Sequence, residues 1–199
     1  MKKLILMAVL AISALTANAQ QYRITPHVDI AYMHYSGYDR DFEDGLGFLV
    51  GGDFEYFVAK NFGVSAGIDF LFGKSDQVKE SFEGESYAGW QHINHTYLNI
   101  PVLAQYHVGR VAFKAGLQPA FLLSAKYKTE NLGSYSIKDR YNTMSLALPV
   151  GISVDFNIPL TLDLRCAIPL TNQAKNDKAL NEHANVKLTT VSLTLGYRF

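Results

Sequence analysis

Apolar and polar positions alternate along most of this chain. In 191–199 one face carries Val191, Leu193, Leu195, Tyr197 and Phe199, and the other carries Ser192, Thr194, Gly196 and Arg198. A period of two is the signature of a β-strand with chemically distinct faces. The same test marks 22–35, 46–58, 62–73, 96–108, 111–125, 144–156 and 160–170, which makes eight strands. In 144–156, for example, Met144, Leu146, Leu148, Val150, Ile152, Val154 and Phe156 oppose Ser145, Ala147, Pro149, Gly151, Ser153 and Asp155.

The connections alternate as well. Ala59-Lys60-Asn61, Gly109-Arg110 and Asn157-Ile158-Pro159 are short, whereas 36–45, 74–95, 127–143 and 171–186 are long and rich in polar residues. Short turns on one rim and long loops on the other describe an antiparallel up-and-down meander. Such a sheet can close on itself and leave no edge.

Periodicity alone does not orient the two faces; composition does. The apolar face has no Lys, Arg, Asp or Glu within any strand core. A charge on that face at a bilayer midplane would cost about 2–4 kcal/mol. The opposite face is small or ionic, which suits a narrow, filled lumen better than a soluble surface. The expected fold is therefore all-β, an eight-stranded antiparallel transmembrane barrel. Tilted strands of about 9–11 residues suffice to span a membrane. Tyr22, Tyr32, Tyr56, Tyr106, Phe156, Tyr197 and Phe199 lie near strand ends, where aromatic girdles form. A secreted barrel or sandwich is the competing architecture.

The first residues read differently. Lys2 and Lys3 precede an apolar run from Leu4 to Leu15, and Ala17-Asn18-Ala19 is a small-x-small cleavage pattern. We expect 1–19 to be a signal peptide, cut before Gln20, and 20–199 to be the barrel domain. The apolar run is shorter than the roughly 20 residues of a spanning helix. Over 199 residues, 48% are hydrophobic and 18% charged, with 18 basic and 18 acidic side chains. That composition argues against disorder and against nucleic acid as a partner. A single cysteine, Cys166, excludes an internal disulfide and a multi-cysteine zinc site. It falls on the apolar face.

Tyr97-Leu98-Asn99-Ile100-Pro101-Val102-Leu103 resembles the Tyr-Leu-x-Ile-Pro-Leu motif of the PorT-like outer-membrane β-barrel family. The Gly-Arg hairpin and Phe113-Lys114-Ala115-Gly116-Leu117 extend the likeness, and Val102 stands where Leu is usual. The final Tyr197-Arg198-Phe199 is similar to the C-terminal signal read by the outer-membrane insertion machinery, with Tyr197 and Phe199 as its aromatics. The resemblance implies an eight-stranded barrel in the outer membrane of a Gram-negative cell. It implies no uniform activity, although the namesake supports protein secretion.

Three functional classes follow from the polar residues. Arg23, Asp29, Asp53, Glu55, Asp69, Lys114, Asp155, Asp163, Arg165 and Arg198, with His27, His107 and Lys126, fall on the inner face. An eight-stranded barrel is just wide enough for side chains to fill, so opposite charges are expected to pair into a plug. A narrow solute or proton path is the alternative. Phe82, Tyr87 and Trp90 sit among carboxylates in the second long loop and are candidates for binding a partner. Lipid-modifying catalysis is the third class. His34 and Ser36 lie near the first long loop with Asp39 following, while His92, His95 and His183 fall in or beside other loops. No G-x-S-x-G elbow or H-E-x-x-H helix accompanies them, and His-x-x-His at 92–95 is a weak metal signal. The expectation is a non-enzymatic, monomeric barrel with a closed lumen and no cofactor or metal. Its expected partners are outer-membrane lipid, the insertion machinery during assembly, and an unidentified extracellular or envelope protein met by the loops.

Overall fold

The computed structural model describes residues 22–37, 42–77, 91–129, 133–173 and 186–199. The expected signal peptide and the loop candidates Phe82, Tyr87 and Trp90 lie outside the described residues, as do Asp39 and His183. Among the described residues there are ten strands: β1 (Tyr22–Ser36), β2 (Phe42–Ala59), β3 (Phe62–Gln77), β4 (Gln91–Asn99), β5 (Val102–Val108), β6 (Val111–Thr129), β7 (Gly133–Ser136), β8 (Met144–Asp155), β9 (Leu160–Pro169) and β10 (Lys187–Tyr197).

All pairings are antiparallel. β1 pairs with both β2 and β10, β2 with β3, β3 with β4 and β5, both of those with β6, and β6 with β8, then β9 and β10. The ring is closed. β4 and β5 occupy one position in it, and β7 is a short addition to the loop end of β6. Eight wall positions result, so each backbone edge finds a partner.

Two departures from simple alternation have local causes. The segment read as one strand over 96–108 is divided at Ile100-Pro101. Pro101 has no N–H to give the ladder, and its carbonyl instead accepts from Gly67 N at 2.8 Å. The second departure is a bulge in β6. Thr96 stands opposite Ser124, but Tyr97 stands opposite Leu122, leaving one extra residue at Leu123. Beyond a bulge the facing of side chains reverses. Lys126, expected inside from its even number, is exposed on the outer wall for this reason.

The strands also reach further into the long connections than their composition suggests. β3 continues to Gln77, β4 begins at Gln91 and β2 begins at Phe42. At the opposite rim the turns are tight, and Gly109 adopts φ 63°, a left-handed conformation that favours glycine. The outer wall is apolar: Ile30, Phe48, Phe72, Leu117, Leu193 and Leu195 are all exposed. Cys166 is on this wall, half-buried between its neighbours.

Candidate functional site

Inward-facing side chains meet on the barrel axis, and the two ends of that axis differ. Toward the short turns the contents are ionic. Arg23 Nη1 donates to Asp155 Oδ2 at 3.1 Å and lies 3.6 Å from Glu55 Oε2. Glu55 Oε1 is 2.6 Å from His107 Nε2. Arg198 Nη1 reaches Asp155 Oδ2 at 3.1 Å, while its Nη2 donates to the carbonyls of Phe156 and Ile158 at 2.8 and 2.7 Å. Arg198 thereby ties the C-terminal strand to the last short turn.

Deeper in, Lys114 is hydrogen-bonded to Asp163. The Arg165 guanidinium lies 3.4 Å from Asp53, 3.6 Å from Asp69 and 3.7 Å from Asp163. His27 Nδ1 is 2.8 Å from Asp29 and its Nε2 is 3.2 Å from Asp69. The structure therefore brings together all ten charged residues expected on the inner face, and joins His27 and His107 to them.

Glycines seat these side chains. His27, Gly51 and Asp69 are register neighbours on β1, β2 and β3. A side chain at Gly51 would collide with the Asp69 carboxylate, so its absence lets Asp69 lie across β2 toward His27. His27, Asp53 and Asp69 also place potential ligand atoms within 4.8 Å of one another. The Arg165 guanidinium already stands against both carboxylates and supplies the positive charge that a metal ion would bring. Space left among Arg23, His27, Asp53, Lys114 and Asp163 amounts to about 20 Å³. That is about the room one water needs.

Toward the long loops the axis is apolar and aromatic. Ala31, Met33, Leu49, Leu71, Tyr97, Leu122, Tyr141 and Leu188 form a buried cluster. Met33 fills the space over three glycines: a methyl at Gly73 would lie 2.6 Å from its Sδ, and one at Gly45 3.0 Å from its Cε. His95 sits among aromatic rings. Its Nδ1 is 3.0 Å from the Tyr35 hydroxyl and its ring is 5.3 Å from that of Tyr141. Tyr97 donates to Gln173 Oε1 at 3.3 Å, and Gln173 Nε2 donates to Ser145 Oγ at 3.1 Å. Tyr141 and Gln173 belong to connections, so residues of two long connections pack at this end.

The apolar cluster was not anticipated from the sequence, which suggested a small or ionic inner face throughout. Its signal was present: Met33, Leu49, Leu71 and Tyr97 occur at inner positions on strands whose outer positions are also apolar.

Outside the barrel, one polar group stands apart. His34 Nδ1 is 2.8 Å from Asp44 Oδ1, and the Tyr32 hydroxyl donates to the same carboxylate. Both His34 and Asp44 are exposed. Asp44 was read only as part of a long connection; it is in β2 and meets His34 across the strand pair.

The matches to known proteins agree with this architecture. A family model described as an outer membrane protein beta-barrel domain matches residues 16–175. Among solved structures, Ail, the attachment invasion locus protein of Yersinia pestis, in complex with the heparin analogue sucrose octasulfate, is 19% identical with a TM-score of 0.52. That match covers 90% of this chain and 98% of Ail. Neisserial surface protein A is 12% identical with a TM-score of 0.49, covering 89% of this chain and 97% of that one. No curated protein matches the sequence. With more than half its length matched, and with a closed ring of antiparallel strands that is apolar outside, this chain belongs to the outer membrane protein beta-barrel domain family and resides in the outer membrane.

Proposed function

We propose that this protein is a closed, monomeric barrel whose function is exercised at its surface rather than through its axis, with the long outer loops contacting an extracellular or envelope partner. The observation that carries the closed axis is its double filling. Ion pairs occupy the short-turn half and a packed apolar cluster with Tyr141 and Gln173 occupies the loop half. A conducting path needs continuous water-filled space, and the opening in the ionic half holds about 20 Å³. The loop role is supported by the sequence of 76–90, where Phe82, Tyr87 and Trp90 alternate with carboxylates. We further assign the chain to the PorT-like branch on the strength of Tyr97 to Leu103, and propose that Tyr197 and Phe199 present the insertion signal. The aromatic rings of Tyr197 and Phe199 are 4.8 Å apart and both face outward at the short-turn rim.

Planar-bilayer recording of the purified protein tests the closed axis. The expected trace shows no unitary channel events, and steady unitary conductance would contradict a filled lumen. Deleting 76–90 tests the loops: the expected result is loss of adhesion to host or neighbouring cell surfaces with the barrel still folded.

A further inference from the structure

We propose that Asp44, His34 and Ser36 form an ester-hydrolase site on the outer wall, directed at acyl esters of anionic lipids in the outer leaflet. This goes beyond a filled barrel with binding loops, and it departs from the expectation of a non-enzymatic protein.

The geometry comes from two neighbouring strands. β1 and β2 are in register up to Met33 opposite Gly45, so one further step sets His34 beside Asp44. Asp44 Oδ1 receives a hydrogen bond from His34 Nδ1 at 2.8 Å. A ring that donates from Nδ1 carries its acceptor at Nε2. The Tyr32 hydroxyl bonds to the other carboxylate oxygen, so Asp44 is held from two sides. Tyr32, His34 and Ser36 occur at every second residue of β1 and are all exposed on the lipid-facing wall. Side chains two apart on a strand share a face, roughly 7 Å between backbones, close enough for an imidazole to span. The structure thus shows the base and its orienting carboxylate in contact, with the hydroxyl of Ser36 two residues along on the same face as the candidate nucleophile.

The surroundings specify the substrate. Lys187 stands opposite Ser36 on β10. On the other side, Tyr32 is opposite Leu46, and Leu46 is opposite Lys74. Leu46, Phe48, Phe72 and Lys74 line an open groove of about 380 Å³ in the outer wall. An acyl chain fits its apolar floor, and exposed lysines on both flanks of the His34 site complement an anionic headgroup. A site facing lipid with no enclosing cavity would meet its substrate by lateral diffusion in the membrane.

The reaction balances without a cofactor. Ser36 Oγ adds to the ester carbonyl carbon as its proton passes to His34 Nε2. The bond from that carbon to the lipid alcohol oxygen then breaks, and the oxygen takes the proton from the imidazolium. Water, deprotonated by His34, attacks the acyl-Ser36 ester, and a fatty acid leaves as Ser36 regains its proton. Asp44 acts as a positioning residue, holding the ring through Nδ1 and leaving Nε2 as the proton acceptor.

The test uses the full protein folded in detergent. One arm mixes it with phosphatidylglycerol bearing a labelled acyl chain and measures fatty-acid release, with phosphatidylcholine alongside. The second treats it with a fluorophosphonate probe and maps the adduct by mass spectrometry. The expected results are release that favours the anionic lipid and a single adduct on Ser36. His34→Ala and Ser36→Ala should lower release by about 10²–10⁴-fold. Asp44→Asn should slow probe labelling and alter its pH profile, which loss of a merely structural contact would not do. Heat-modifiable migration on gels verifies that each variant is a folded barrel. Release equal to that of His34→Ala, or an adduct on a residue other than Ser36, overturns the proposal.

Discussion

Along its axis the barrel is filled in two chemically opposite ways. The short-turn half holds Arg23, Lys114, Arg165 and Arg198 against six carboxylates. The loop half holds Met33, Leu49, Leu71, Leu122 and Leu188 with a set of tyrosines. The two halves tolerate error differently. Dispersion contacts are many and individually small, so an apolar cluster loses stability in proportion to the volume removed. Buried charges depend on particular partners. Deleting one leaves another uncompensated in a low-dielectric space. The wall shows the same division. In the ionic half glycine leaves room for a charged group to cross a strand, as Gly51 does for Asp69, whereas Gly45 and Gly73 leave room for the methionine.

The largest effect is expected where one cation stands against three carboxylates. Arg165→Met should destabilise the barrel by about 3–5 kcal/mol, because Asp53, Asp69 and Asp163 then face one another without it. Urea unfolding in lipid or detergent measures this. Adding Asp53→Asn and Asp69→Asn should recover much of the loss, since the uncompensated charge is what costs. A small effect from Arg165→Met alone would mean that the ionic half is solvated, and the contrast with the loop half would fail.

In the apolar half, Met33→Ala should cost about 2–5 kcal/mol, the range for a large side chain removed from a packed core. Gly73→Ala should cost about 1–3 kcal/mol by overpacking, because its methyl would crowd Met33 Sδ. The two changes share one space. Combined, they should cost less than their sum, since the smaller residue at 33 accommodates the methyl at 73. Strict additivity in urea unfolding would show that Met33 does not rest on Gly73.

How much of this was legible in the sequence depends on what each pattern encodes. Alternation identifies strands and separates their faces, and the exclusion of charge from one face locates lipid. That reasoning placed Asp69 inside and Leu193 outside. It could not follow the face through the bulge at Leu123, because a one-residue insertion changes parity without changing composition, and Lys126 was placed inside as a result. The apolar cluster was hidden for a related reason. Where Met33 and Leu71 occupy inner positions next to apolar outer ones, contrast between faces disappears. Pairing across the sheet was also out of reach. Asp44 follows Ser36 by a connection, and only the β1–β2 register sets it against His34. Periodicity describes one strand at a time, while each part of this site involves at least two.

The smallest effect tests which neutral neighbours the charge network of the ionic half includes. Thr194 is buried on β10, opposite Asp29 of β1 and Asp163 of β9. Its hydroxyl has no hydrogen-bond partner among the described residues. Valine has nearly the same shape and lacks only that polar atom. If the hydroxyl contributes nothing to the charge network, Thr194→Val removes an unsatisfied group, and stability should change by no more than about 0.5 kcal/mol in either direction. A loss above about 1 kcal/mol in urea unfolding would mean that the network extends to Thr194 through a bridging water. Such a result would make Thr194 a hydrated member of the network that already links Asp29 through His27, Asp69 and Arg165 to Asp163.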